Sequence, residues 1–104
     1  MIDKRIEFDE CYDDGEGTTT LYFIAPKELL QVTMIKNYPE AVSMEISIEL
    51  PTNNMEARYA DVSVSPTRYV EEDDSYEDYD WYDISLPYDE IEELIDLARN
   101  SGRF

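Results

Sequence analysis

The side chains able to do chemistry in this chain are carboxylates and phenols. It has 26 Asp and Glu against 8 Lys and Arg, a formal net charge of -18, no His, one Cys and 9 Tyr. Without His there is no Ser-His or Cys-His dyad and no imidazole metal ligand. Cys11 therefore has no imidazole to activate it, and as the single cysteine it has no partner for an internal disulfide. The run Asp9-Glu10-Cys11-Tyr12-Asp13-Asp14-Gly15 has the composition of a calcium loop but not its register. Counted from Asp9 the glycine falls one place late, and counted from Glu10 the last ligand position is Leu21, so neither frame supplies the bidentate Glu. Three glycines leave no Gly-rich phosphate loop. Paired carboxylates could do acid–base work on a sugar, but so many are present that no pair stands out. The sequence thus predicts no catalytic site, no metal and no cofactor.

The carboxylates are unevenly placed. Between Tyr69 and Ala98 there are 13 acidic residues and no Lys or Arg. Glu71, Glu72, Asp73, Asp74, Glu77, Asp78 and Asp80 crowd one segment, with Tyr76 and Tyr79 among them. Asp89, Glu92, Glu93 and Asp96 follow at helical spacing, their charges roughly 6 Å apart along the axis. Like charges at that spacing cost a helix about 0.2–0.5 kcal/mol per pair, so the stripe does not serve folding. Solubility needs a net charge of about 2–8. The competing explanation is a solvated coat of the kind salt-adapted proteins carry. Tyr76 and Tyr79 read as exposed anchors, while Trp81 and Tyr82 fit either core or interface.

Most of the elements that position these groups can be read from periodicity. Ile2, Ile6 and Phe8 alternate with charged residues, predicting a strand over about 2–11. Asp13-Asp14-Gly15-Glu16-Gly17 is a turn, and Thr18 to Ala25 is the partner strand. Residues 26–37 fit either a short helix or a strand, and we favour the helix. Val42, Met44, Ile46, Ile48 and Leu50 alternate with Ser43, Glu45, Ser47 and Glu49, a half-buried strand. Met55 to Ser65 returns from it, with Pro66 as its stop. Residues 68–80 lack aliphatics after Val70 and are expected to form a loop. Trp81 to Leu86 can be a last strand. Ile91, Leu94, Ile95 and Ala98 mark an amphipathic helix from about 88 to 100. The predicted fold is α+β, an antiparallel sheet of about five strands with a C-terminal helix packed on one face. All of residues 1–104 are expected to form a single domain.

Charge sets the class of partner. A surface this anionic repels nucleic acid and anionic membrane. It attracts a basic protein surface, where carboxylates can take the places of phosphates and pair with Arg and Lys. The start of the chain has no apolar signal region, and its longest apolar run is too short to span a bilayer, so a cytosolic location is expected. Extreme acidity, small size and the clusters at Glu71–Asp80 and Asp89/Glu92/Glu93/Asp96 resemble the nucleic-acid-mimicking inhibitors of phages and mobile elements, including anti-CRISPR and anti-restriction proteins. The resemblance implies a non-enzymatic inhibitor that blocks the basic nucleic-acid-binding cleft of a nuclease, foremost a CRISPR effector. Acidic immunity proteins that neutralise a basic toxin are similar in the same respects. An accessory domain of a mobile element with no charge-directed partner is the third expectation.

Overall fold

Residues 41–51 show how the sheet is built. Met44, Ile46, Ile48 and Leu50 are buried on one face of this strand, while Glu45 is half-buried and Glu49 exposed on the other. The alternation fails at its start: the pairing shifts between Ala41 and Ser43, so Ala41 is buried and Val42 stands exposed. Val42 thus leaves the inward row predicted for it, because it is the extra, unpaired residue of β3 at this bulge.

The computed structural model describes residues 2–30 and 32–102. In chain order the elements are β1 (Glu7–Asp13), β2 (Thr18–Pro26), α1 (Val32–Asn37), β3 (Ala41–Pro51), β4 (Asp61–Val70), β5 (Ser75–Asp78), β6 (Tyr82–Ile84) and α2 (Tyr88–Asn100). Short 3-10 turns occupy Lys27–Leu29 and Ala57–Tyr59. The strands form one six-stranded antiparallel sheet ordered β1-β2-β3-β4-β5, and β6 also pairs with β4. Ile91, Leu94, Ile95 and Ala98 of α2 join Leu21, Phe23, Ile46 and Ile48 in one core. The architecture is therefore α+β, a sheet with its C-terminal helix on one face. We call the helix-covered face inner and the opposite face outer.

Several boundaries differ from those predicted. Residues 2–6 are not strand: the Asp3 carboxylate accepts the Arg5 N–H at 2.8 Å and closes a turn. The 26–37 segment holds two short helical pieces, the 3-10 turn Lys27–Leu29 and α1, with Leu30 extended between them; Leu30 and Met34 are buried, and Gln31 lies outside the described residues. The return strand starts at Asp61, not Met55, because Ala57–Tyr59 turns first.

Pro66 does not end β4. The Tyr79 N–H donates to the Pro66 carbonyl at 2.9 Å, on the side away from β3. A residue of an antiparallel strand points N–H and C=O to the same side, so the missing N–H of Pro66 also faces away from β3. There the neighbouring edge is broken, β6 pairing with residues 62–64 and β5 with residues 67–70. Pro66 thus splits the edge strand and leaves the ladder to β3 intact.

The 68–80 segment is a hairpin rather than a loop. Tyr69 and Tyr76 face each other across it with ring centroids 5.3 Å apart. Asp74 takes φ 47 in the turn, and its carboxylate accepts the Tyr69 hydroxyl. Arg68 pairs with Glu77 at 2.8 Å, and Thr67 donates to Asp78 at 3.0 Å. Beyond β5, the Tyr38 hydroxyl donates to Asp80 at 3.0 Å and also bonds the Tyr82 hydroxyl. Burial of aliphatic carbon was the predicted requirement for order; cross-strand polar and aromatic pairs supply it instead.

Candidate interaction surface

Register brings the outward side chains of all the strands onto one plane, because directly opposed residues share a face. Glu10 lies opposite Tyr22, Tyr22 opposite Ser47, and Ser47 opposite Ser63. Ser63 in turn lies opposite Asp83 of β6. Parallel rows place Glu7, Ile24 and Glu45 together, and Thr20, Glu49 and Asp61 together. Among the described residues, none of these outward positions holds Lys or Arg.

Trp81, in the link between β5 and β6, lies over this face. Its ring meets that of Tyr22 edge-on, with centroids 6.4 Å apart, and it lines one groove with Glu10, Tyr12, Glu45, Glu49 and Asp78. Ser47 and Ser63 line the same groove, their small side chains leaving room for the indole. The fields of these acids converge. Burial first, then Glu45, Glu10, Glu49 and Asp78, pushes the Tyr22 hydroxyl above its usual value. Glu45 is pushed up from 4.5 to about 8, first by burial, then by a side-chain hydrogen bond with Asp78 and by the charges of Asp78, Asp9 and Glu10. One carboxyl does stand out after all: Glu45 on β3 shares two grooves with Asp78 of β5, across β4, and that neighbour together with burial favours its protonated form.

The predicted site residues divide between surfaces. Tyr76 and Asp78 belong to the outer face and line a groove with Ile24, Val42 and Glu45. Glu71, Glu72, Asp73 and Asp74 form the exposed turn of the hairpin. Glu77 is held by Arg68 and Asp80 by Tyr38. Tyr79 is half-buried rather than exposed, its ring 4.7 Å from that of Tyr38 and beneath the Arg68 guanidinium.

The α2 acids lie on the other side of the molecule, since α2 covers the inner face. Asp89, Glu92 and Asp96 are exposed, but Glu93 is half-buried and accepts the Ile2 N–H at 2.9 Å. Asp96 lies 3.7 Å from Arg99, and both Glu92 and Asp96 border a groove with Arg58 and Arg99. The stripe that is free of cations in the linear sequence is partly neutralised in three dimensions.

Other chemistry finds little footing. Asp13 and Asp14 accept the N–H groups of Gly15 and Glu16 at 2.9 and 2.7 Å, so the calcium-like run serves a turn. Among the described residues no group of acids or Cys11 is placed to hold a metal ion. No helix among them is long and apolar enough to cross a membrane. An apolar recess of about 570 Å³ opens between α2, the N-terminal segment and the sheet. Its polar lining is Asp3, Ser85 and Glu90, and Asp3 is already committed to Arg5, which holds its carboxyl down at about 2.

Sequence reasoning missed Glu10, Tyr22, Glu45, Glu49 and Trp81 as one surface. Alternation marks Glu45 and Glu49 as outward, but only lateral register reveals what lies beside them. No protein-family model, curated protein or solved structure matches the chain.

Proposed function

We propose that the protein is a non-enzymatic inhibitor that occupies the basic nucleic-acid-binding cleft of a nuclease, foremost a CRISPR effector, by presenting carboxylates in place of phosphates. The observation that carries this function is the outer sheet face, where acids from β1, β3, β4, β5 and β6 meet with no cation at the outward positions among the described residues. Strand pairing fixes the backbone from which those carboxylates project, so docking a basic surface orders side chains but no main chain. Fixed charge also speeds encounter with a cationic cleft. An immunity protein for a basic toxin would use the same physics on a different partner.

The test is capture. Immobilised protein exposed to a host lysate at low salt is expected to retain a nucleic-acid-binding nuclease that elutes as salt rises. Recovery of a non-nuclease toxin would transfer the function to the immunity class. Recovery of no basic protein would contradict both.

A further inference from the structure

Of the nine large apolar side chains exposed among the described residues, Leu29, Tyr59 and Tyr88 lie in the 3-10 turns and α2, while the other six gather on one face. Tyr12, Ile24, Val42, Tyr69, Tyr76 and Trp81 are all exposed, from 41% for Trp81 and Tyr69 to 67% for Tyr76. Cross-strand register and shared groove lining place all six on the outer sheet face. Such a grouping on a chain of this charge is not required for solubility, and clustered apolar exposure marks an interaction surface. Nucleic acid and a second copy of this chain are both repelled by the surrounding carboxylates.

We infer that the outer sheet face, and not the α2 stripe, is the docking surface, and that it takes an arginine-bearing surface of the basic partner. The inference rests on the proposed charge mimicry and adds the face and the chemistry. A guanidinium is planar, weakly hydrated, able to fork onto a carboxylate and to stack on an aromatic ring. The outer face offers both together, with Tyr22 and Trp81 beside Glu10, Glu45 and Glu49. The molecule already makes such contacts: Arg58 stacks over Tyr59 at 4.9 Å and pairs with Glu56 at 2.9 Å. A lysine ammonium is compact and strongly hydrated, so it gains less from the rings. The α2 stripe has cations of its own nearby and its Glu93 is engaged.

Trp81 is the single tryptophan, which makes the test direct. Oligoarginine and oligolysine peptides of equal length are titrated at low salt while Trp81 emission is followed, with binding measured independently by calorimetry. Oligoarginine is expected to bind several-fold more tightly and to change the emission. The set Glu10→Gln, Glu49→Gln and Asp83→Asn should weaken it about tenfold, from three exposed pairs. The equal-charge set Asp89→Asn, Glu92→Gln and Asp96→Asn should leave it within about twofold. All six positions are exposed, and circular dichroism verifies that each variant folds. Equal losses from the two sets, or a larger loss from the α2 set, would overturn the choice of face while leaving mimicry standing. Equal affinity for the two peptides would overturn the preference for arginine. No salt-sensitive binding of either peptide would overturn the docking surface and the mimicry together.

Discussion

Glu45 concentrates the electrostatics of the protein in one side chain. In the folded state its carboxyl is held up to about 8, against 4.5 for the ordinary group. Between those values the folded chain binds more protons than the unfolded one, so stability falls as pH rises from about 4.5 to about 8. Below that window the favourable contribution is fully present. Thermal melts across the window are expected to show Tm declining toward the alkaline end. Glu45→Gln, which keeps a donor toward Asp78 without a titrating proton, should flatten the decline and raise Tm at its alkaline limit. A parent melt that does not move with pH would contradict the raised Glu45 carboxyl. This pair was not legible in the sequence. Alternation places Glu45 outward, but 33 residues separate it from Asp78, and only the β3–β4–β5 order brings them together. The α2 stripe shows the converse, since helical spacing identifies its members but not the Arg58 that folds beside them.

The elements were most legible where burial is one-sided and periodic. β3 and α2 follow their apolar patterns because each has a single face to hide. Ile48 is fully buried in β3. Ile48→Ala should cost about 2–5 kcal/mol, and Ile48→Val about 0.5–1.5 kcal/mol, measurable by urea unfolding. A loss below that range for the alanine would mean that the core is looser than its burial indicates. β5 was illegible because it carries no aliphatic residue: its order comes from Tyr69–Tyr76, Arg68–Glu77 and the Tyr38–Asp80–Tyr82 cluster. Pro66 misled for a related reason, since proline ends a strand only where its missing N–H was needed. Tyr38→Phe removes the hydroxyl that ties the β5–β6 link. Amide exchange is expected to accelerate over residues 75–84 and to stay unchanged in β2 and β3. Equal acceleration throughout the sheet would show that the link is not an independently held segment.

At the scale of the whole molecule, charge opposes the fold that positions it. A net charge of -18 on a body of 38 × 29 × 23 Å repels itself. Screening shortens that repulsion to about 8–10 Å at ordinary ionic strength. Tm should therefore rise with added sodium chloride, and a Tm that falls would indicate that the few ion pairs outweigh the repulsion. The two-layer fold also separates the acids of the outer sheet face from those of α2, a division no linear charge count could reveal. Such self-repulsion is tolerable if a cationic partner relieves it, and relief by a partner is what phosphate mimicry requires.

The most direct measurement is competition at the captured partner. Complex formation is followed by fluorescence anisotropy of a labelled nucleic acid already bound to that partner, across a range of salt. The protein is expected to displace the nucleic acid completely, with an affinity that drops steeply as salt increases. A stable ternary complex, or an affinity indifferent to salt, would contradict the substitution of carboxylates for phosphates.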